Sequence, residues 1–498
     1  MTDAPGRDDR YPVLLHKLKT ALVTPVRAMR WRYLPLLMIY FAYGALGLVT
    51  IAEAFWVKEA LTLSPAELAA IAVWITLPWT IKMVFGQLAD SVPIFGSQRR
   101  AYVFIGASLV ATGLVTLAGA AGGWIAFADK NVLYVAAQLL IVLGIVIQDV
   151  IADAMTTEVV DRERPDGTPR PKAEVERELG LVQVLGRLAL WSGVLSVAGL
   201  SGWLAQIFSY ETIFLLGLAI PAISVTGALL VRLDGAVGRP VDWRILGGGL
   251  VFGAVVIAIG LGRVPWGQEL VFLVSMTVIS LMLYRIAAQL DQAHRRKILY
   301  AALVIFLYRA SPGLGEGYRW FTIDVLGFDE AFYGTLAQIG AALSLIGAWL
   351  FSDVITRQPI AKVLLWLTIL TTVLSLPTVA LSLRWDLWTE TMFGFGARTI
   401  ALVDTTASSP FAALSMIPAL TLVAINAPAG SRATWFALMA SLMNLALVAG
   451  QLQTKYLNWM FEVDRSAYGH LPELVIAAVT IGFVVPLVGI LAFGRRAT

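Results

Sequence analysis

The fold is decided by residues 33–56, which read YLPLLMIYFAYGALGLVTIAEAFW and contain a single charged residue, Glu53. A helix rises about 1.5 Å per residue, so about 20 apolar residues are enough to cross the roughly 30 Å hydrocarbon core of a bilayer. The whole chain is 58% hydrophobic and only 14% charged, whereas soluble domains are roughly 25% charged. This stretch therefore predicts a membrane-spanning helix, and the composition predicts that others follow it.

Fourteen apolar blocks of this length follow one another along the 498 residues. They predict an all-α polytopic membrane protein, because the strands of a membrane barrel would be shorter and would alternate in polarity. The predicted spans are 33–56, 67–90, 101–123, 131–155, 178–204, 211–231, 243–262, 269–289, 298–317, 330–352, 361–383, 398–424, 433–459 and 470–493.

The distribution of basic residues predicts the orientation of these spans. An intracellular N-terminus leaves only seven of the 37 Lys and Arg residues on external segments, as the positive-inside rule requires. An even number of spans then places both termini in the cytoplasm. Residues 1–32 are basic and lack the apolar core of a signal peptide, so we expect either an amphipathic helix on anionic lipid or a disordered tail. The expected location is the cytoplasmic (inner) membrane.

Several kinds of chemistry are absent from the sequence. There is no cysteine, so the chain has no disulfide, thiolate metal site or thiol nucleophile. The three histidines, His16, His294 and His470, lie outside the apolar interiors of the predicted spans, His470 being the first residue of the last one. No Gly-Lys pair of a Walker A phosphate loop occurs. We therefore expect no enzymatic activity, no cofactor, no metal and no nucleic-acid partner.

A repeat divides the chain into two halves. The first two spans begin near Tyr33 and end in Gly-Gln-Leu-Ala-Asp90, and the ninth and tenth begin near Leu299 and end at Asp353. Between the halves lie two further spans, which we expect to pack at the periphery. The predicted units are a cytoplasmic basic segment 1–32, an N-terminal six-helix bundle 33–232, an inserted transmembrane hairpin 243–290 and a C-terminal six-helix bundle 297–494.

The first helix of each half is interrupted at the same depth. Aligning Tyr33 with Leu299 places Tyr43–Gly47 over Arg309–Gly313, and both segments contain Gly or Pro, which weaken a helix. Paired interruptions in corresponding helices of two halves are a sequence signal for a transport site.

Charged residues inside the spans form an inner layer. Each costs roughly 2.5–3.5 kcal/mol on insertion scales, so it tends to face a partner or water. Lys82, Asp149 and Arg187 lie within about nine residues of the cytoplasmic ends of their predicted helices. Asp149 and Asp153 are four residues apart and share one helical face. The layer could be an ion-pair lock, a proton site, an anion site or a purely structural network.

Arg309 is the predicted anchor for an anionic substrate. It lies about 11 residues into its predicted span, too deep to reach the interface easily. The helix is weakened just after it, and a guanidinium can bind a carboxylate through two parallel hydrogen bonds. The alternative is a structural pair with Asp324, Asp404 or Asp149.

Four further residues are candidates within the spans. Tyr43 and Trp79 could stack on an aromatic ligand, although packing would also explain them. Glu53 and Asp404 lie toward the outer halves of their spans and are candidates for proton uptake.

The turn after the second span carries a recognisable signature. It runs from Gly86 through Asp90 to Arg99 and Arg100, and it resembles the loop signature of the major facilitator superfamily. The resemblance implies that these four residues act at a cytoplasmic gate that latches the two halves.

Other motifs are more specific. Together they resemble the folate-biopterin transporter family of that superfamily, and the likeness is clearest over 33–160 and 298–365. The motifs are Val57–Glu67, Pro78–Lys82, Asp149–Glu158 and Tyr308–Pro312.

The resemblance implies the major facilitator fold, here two six-helix bundles plus an inserted central hairpin with 14 transmembrane helices. It also implies a monomeric secondary transporter in the lipid bilayer, whose small-molecule substrate is an organic anion such as folate or a pterin. Coupling to protons is expected, because the chain lacks an ATP-binding element. The alternatives are a transporter of another organic solute and a non-transporting membrane assembly factor on the same scaffold.

Overall fold

The computed structural model describes residues 29–230, 240–262, 264–288, 290–356, 358–412, 414, 416–427 and 432–497. These residues are almost entirely helical, and their only β-structure is three isolated bridges in turns. Of the predicted basic segment 1–32, residues 1–28 lie outside the described part of the chain.

The first half and the hairpin contain eleven described helices, some of which are consecutive pieces of one membrane span. They are α1 Leu34–Ala45, α2 Gly47–Ala60, α3 Pro65–Thr80, α4 Lys82–Ser91, α5 Arg100–Gly122, α6 Lys130–Glu158, α7 Lys172–Ile207, α8 Tyr210–Leu216, α9 Ala219–Leu230, α10 Trp243–Leu261 and α11 Gly267–Ala288.

The second half contains ten described helices before its final π turn, and some of them are again pieces of one span. They are α12 Gln292–Arg309, α13 Gly315–Asp324, α14 Glu330–Thr356, α15 Ile360–Leu374, α16 Leu376–Ser382, α17 Trp385–Phe393, α18 Ala397–Ala412, α19 Met416–Ile425, α20 Arg432–Met460 and α21 Leu471–Gly489, after which a π turn leads to Ala497.

The chain is a multi-pass membrane protein. Among the described residues, thirteen helical segments are long and apolar enough to cross a membrane, and they match thirteen of the fourteen predicted spans. The remaining predicted span, 298–317, consists of α12 and α13, which are separated by the non-helical segment 310–314. The predicted interruption of this helix is therefore confirmed. The aligned break in the first half is smaller, a single turn residue, Leu46, between α1 and α2.

The backbone groups released at the larger break are bound by α20. Pro312 has no N–H to donate, so the helix cannot continue through it. Gln453 donates to the carbonyl of Ala310 at 2.8 Å, and the amide of Gly313 donates to Thr454 Oγ1 at 2.9 Å. Because these groups are satisfied by side chains, a non-helical segment is tolerated at membrane depth.

The membrane-spanning segments begin and end at two opposite faces of the molecule. We call the face with Trp31 and Ala497 the terminal face, and the face with Ala60 and Leu471 the distal face.

Two pairs of long helices join the halves. In the first pair, α20 contacts α3: Gln451 donates to Thr76 Oγ1 at 2.9 Å, and Asn444 donates to the carbonyl of Trp79 at 3.0 Å. In the second pair, α14 contacts α7 toward the distal face, where the amide of Gly199 donates to Gln338 Oε1 at 2.9 Å.

Close packing also positions α1 against α7. A Cβ atom on Gly44 would lie 2.0 Å from the carbonyl oxygen of Leu190, and one on Gly193 would lie 2.2 Å from that of Phe41. Only glycine permits this approach of two backbones, which is typical of helix pairs in membranes.

The hairpin of α10 and α11 lies at the periphery. Its α11 is tied to the second half, where Glu269 accepts from Lys455 Nζ at 2.6 Å and from the hydroxyl of Tyr456 at 2.7 Å. Its α10 meets the first half where Gly249 approaches Val84. Most of the apolar side chains of α10 are exposed, which suits a helix facing lipid.

Candidate functional site

The predicted inner layer forms one connected group in the structure. Lys82 Nζ contacts both carboxylates of α6, Asp149 and, at 2.6 Å, Asp153. The hydroxyl of Tyr40 donates to the other oxygen of Asp153 at 2.7 Å. One cation is therefore shared by two carboxylates that belong to the same helical face.

Local sequence explains how these residues meet. Pro78 lies near the end of α3, and because proline weakens the hydrogen bonding of a helix, α3 ends at Thr80 and α4 restarts at Lys82. The long α6 is uninterrupted and presents Asp149 and Asp153 one turn apart.

Arg187 does not bond to the group around Lys82, although the sequence places it in the same layer. Its side chain on α7 is exposed, and within the described residues it makes no hydrogen bond or ion pair. It still lies within electrostatic range of Asp149 and Tyr43. It can therefore influence the charge of the group without holding its geometry.

Tyr43 and Trp79 contact each other. Their rings are stacked with centroids 6.0 Å apart and planes inclined by 24°. Tyr43 also lines a small cavity of about 10 Å³ beside Tyr40 and Asp149, which is about the space for one water molecule. A ligand could stack here only on the outer faces of the two rings.

Arg309 ends α12 immediately before the break. It lines a cavity of about 280 Å³ together with the hydroxyl-bearing residues Tyr308, Ser311, Thr368 and Thr371. Within the described residues it forms no ion pair, and its only hydrogen-bond contact is with the sulfur of Met416.

The three carboxylates considered as structural partners of Arg309 have other partners. Asp324 pairs with Lys58, Asp149 pairs with Lys82, and Asp404 accepts from Thr378 Oγ1 at 3.2 Å. The guanidinium of Arg309 is thus available to a ligand.

A larger cavity of about 450 Å³ lies between the two halves. The first half contributes Glu53 and Tyr134, and the second half contributes Glu316, Arg319 and polar residues of α20. Glu316 and Arg319 form an ion pair at 2.9 Å. The sequence reasoning identified only Glu53 here. The break before α13 was the signal that could have directed attention to Glu316 and Arg319, because it brings the start of that helix to the centre.

The distal face is closed by contacts between the halves, and the sequence reasoning missed all of them. Arg465 donates to backbone carbonyls at the end of α2, those of Lys58 and, at 2.7 Å, Leu61. Its guanidinium also lies 4.3 Å from the ring centroid of Trp320. Beside it, Lys58 pairs with Asp324.

The terminal face has a different ion-pair cluster. Arg99 Nη2 bonds to Asp90 Oδ1 at 2.7 Å and to Glu158 Oε1 at 2.6 Å. Burial of Arg99 opposes its charge, but its hydrogen bonds to Glu158 and Asp90 outweigh this and raise its pKa. Arg100 lies over the ring of Phe104 at 5.5 Å.

All partners of this cluster belong to the first half. Gly86, one turn before Asp90, faces Val150 of α6. Within the described residues no hydrogen bond or ion pair joins the cluster to the second half, so the implied latch across the halves is not formed in this conformation.

Comparison with known proteins identifies related sequences over nearly the whole chain. The folate-biopterin transporter of Synechocystis sp. is 28% identical over 475 residues, which cover 94% of this chain and 83% of that protein. The probable folate-biopterin transporter 4 of Arabidopsis thaliana is 23% identical, covering 87% and 89%. Folate transporter 1 of Plasmodium falciparum is 21% identical, covering 88% and 75%.

Solved structures with the same fold are transporters whose sequences have low identity to this chain. A POT family transporter in complex with 5-aminolevulinic acid has a TM-score of 0.65 at 13% identity, covering 94% of this chain and 96% of that chain. The peptide transporter POT in complex with sulfate has a TM-score of 0.59 at 15% identity, covering 94% and 95%. The fold is therefore that of the major facilitator superfamily, as the sequence resemblance implied.

A match to a family model agrees with these relatives and with the fold. The family model described as the BT1 family matches residues 44–497, which is most of the chain and includes both halves and the hairpin. The chain belongs to the BT1 family.

Proposed function

We propose that the protein is a secondary active transporter that moves folate or a pterin across the cytoplasmic membrane by alternating access. The observation that carries the proposal is the cavity of about 450 Å³ between the halves, closed at the distal face by Arg465 and Lys58. The names of the relatives in Synechocystis sp. and Arabidopsis thaliana support the choice of substrate.

The terminal face is the cytoplasmic face in this proposal, with both termini inside. The excess of basic residues on the terminal side supports this orientation. The conformation is then closed toward the outside. Transport occurs when the bundles 33–232 and 297–494 rock against each other, while the hairpin 243–290 stays at their edge. The transporter works as a monomer in the bilayer.

Protons drive the transport through the group around Lys82. Protonation of Asp149 or Asp153 would weaken its hold on the ammonium, so the number of bound protons and the geometry of the group depend on each other. Arg187 biases this equilibrium from a distance, and Asp404 is the counterpart in the second half.

Substrate contacts come from both halves. Arg309 binds the anionic group, because it is the guanidinium beside a cavity that no described carboxylate neutralises. Tyr43 and Trp79 present aromatic faces, and Lys82 adds positive charge on the terminal side of the cavity. At the terminal face, Gly86, Asp90, Arg99 and Arg100 form the gate that must rearrange when that face closes.

The proposal is tested by binding and uptake with the purified full-length protein. A thermal-shift screen against folates, pterins, nucleosides and other organic anions should show a higher Tm with folate or a pterin, because a ligand that binds the folded state stabilises it. In proteoliposomes, an imposed pH gradient should drive uptake of the same compound. Binding of a different anion alone would favour another solute, and a folded protein that neither binds nor transports would favour the assembly factor.

We expect Arg465→Ala to open the distal face. The substitution removes charge-assisted hydrogen bonds to the end of α2, each worth about 1.5–3 kcal/mol, so the outward-open population should rise at least about tenfold. The chain has no cysteine, and a single Ala54→Cys substitution in the cavity therefore reports access. Labelling by a membrane-impermeant maleimide from outside should become about tenfold faster.

The matched control is Arg384→Ala. Arg384 is also on the distal face, but it pairs with Asp386 two residues along the chain rather than across the halves. Labelling should not change in this variant. Equal labelling rates in the two arginine variants would mean that Arg465 does not hold the face closed.

A further inference from the structure

We infer that Glu53 binds the pterin ring itself, by accepting two hydrogen bonds from its aminopyrimidinone edge inside the cavity of about 450 Å³. This inference rests on the proposed function and deepens it, because it separates the site of the ring from the site of the anionic tail. It also gives Glu53 a role in recognition rather than in proton uptake.

The first argument is the state of the two carboxylates in this cavity. Glu316 is occupied, because both of its oxygens accept from Arg319 Nη1, at 2.9 and 3.1 Å. Glu53 accepts one long hydrogen bond, 3.3 Å from the hydroxyl of Tyr134, with the side-chain amide of Gln138 also close to it, and it has no cation partner among the described residues. A carboxylate offers about four acceptor positions when it is ionised, so Glu53 keeps acceptor positions for a ligand.

The second argument is the chemistry of the ring. An aminopyrimidinone presents two parallel N–H donors, one on ring N3 and one on the 2-amino group. These donors match the two oxygens of a carboxylate in the way that a guanidinium does. A poorly solvated carboxylate without a partner is costly, so a ligand that supplies both donors is favoured over one that supplies neither.

The third argument is the size and lining of the cavity. About 450 Å³ is within the range of roughly 300–1,000 Å³ found for small-molecule sites. Apolar side chains from both halves complete its wall and can pack on the faces of a flat ring; they include Val57, Leu68 and Leu447.

The fourth argument is the position of the second cavity. The cavity of about 280 Å³ beside Arg309 adjoins the larger one, because Ser311 and Leu447 line both. An unpaired carboxylate, Glu53, therefore lies on one side of this shared wall, and an unpaired guanidinium lies on the other. A ligand with a donor edge at one end and a carboxylate tail at the other, as in folate, satisfies both, whereas a pterin without a tail satisfies only Glu53.

The test crosses two variants with two ligands, folic acid and biopterin, by isothermal titration calorimetry on the full-length protein. Glu53→Gln keeps the size of the side chain but replaces one acceptor with a donor, so the Kd of both ligands should rise tenfold or more. Arg309→Lys should weaken folic acid by a similar factor and leave biopterin unchanged. The matched control is Glu473→Gln on the exposed distal end of α21, which should bind both ligands normally.

A folate analogue with a methyl group in place of the 2-amino group tests the same contact without a substitution. It should bind the unmodified protein at least tenfold more weakly than folic acid, and Glu53→Gln should weaken it by a smaller factor than it weakens folic acid, because only the N3–H donor remains. This measurement decides the matter if Glu53→Gln fails to fold.

The outcomes separate the inference from the proposed function. Normal binding of both ligands by Glu53→Gln, or normal binding of the analogue by the unmodified protein, overturns the role of Glu53 and leaves the transporter assignment intact. Failure of the unmodified protein to bind either ligand overturns both.

Discussion

Lys82→Ala and Asp149→Ala are each expected to abolish proton-driven uptake, and the double variant is expected to be less destabilised than the sum of the two. Lys82→Ala leaves an uncompensated charge in a poorly solvated layer, which typically costs 3–5 kcal/mol, whereas Asp149→Ala leaves Lys82 with Asp153 as its remaining partner. In the double variant only Asp153, whose side chain is half exposed, lacks its cation. Lys82→Ala should be the more damaging single variant, because it leaves both Asp149 and Asp153 without their cation.

The measurement is a double-mutant cycle on the free energy of unfolding, with uptake assayed on the same proteins. The control cycle uses Lys172 and Glu176, an exposed pair at 3.7 Å, for which a coupling of about 0–1 kcal/mol is expected. Strictly additive losses for Lys82 and Asp149 would show that the two residues do not act together.

Arg309→Lys is expected to raise the Kd for an anionic folate tenfold or more, a loss of about 1.4 kcal/mol. Lysine keeps the charge but cannot form the two parallel hydrogen bonds of a guanidinium. The Tm of the protein without ligand should stay nearly unchanged, because Arg309 forms no ion pair with any described residue that the substitution could break.

Equilibrium binding and the Tm without ligand must be measured on the same preparation. Arg398→Lys is the control, because Arg398 pairs with Asp329 at the distal face, outside both cavities. Normal folate binding by Arg309→Lys would remove the anchor role, and collapse of the unliganded protein would show that Arg309 is structural instead.

The gate signature illustrates how far a motif can be interpreted from sequence. Asp90 lies at the end of a helix, where its charge opposes the helix dipole, so a basic partner stabilises it. The structure provides one in Arg99, but Arg99 also binds Glu158 of the same half. The position of Asp90 on its helix thus accounts for a local ion pair, whereas a latch between the halves depends on the conformation of the whole molecule.

The sequence by itself determined the membrane-spanning helices, the interruptions near Tyr43 and Arg309, and the shared depth of Lys82 and Asp149. These features follow from local properties: hydropathy over about 20 residues, the missing donor of proline, and a rise of about 1.5 Å per residue. Each can be calculated without knowing which helices are neighbours.

Only the tertiary structure decided which charges meet. Arg465 reaches Lys58 across 407 positions of the chain, and Glu53 shares a cavity with Glu316 because the two halves face each other there. Arg309 is left without a carboxylate because Asp324 and Asp404 are held elsewhere. Such pairings depend on how the bundles pack and on which partner is nearest, and neither property is contained in the hydropathy or spacing of any one segment.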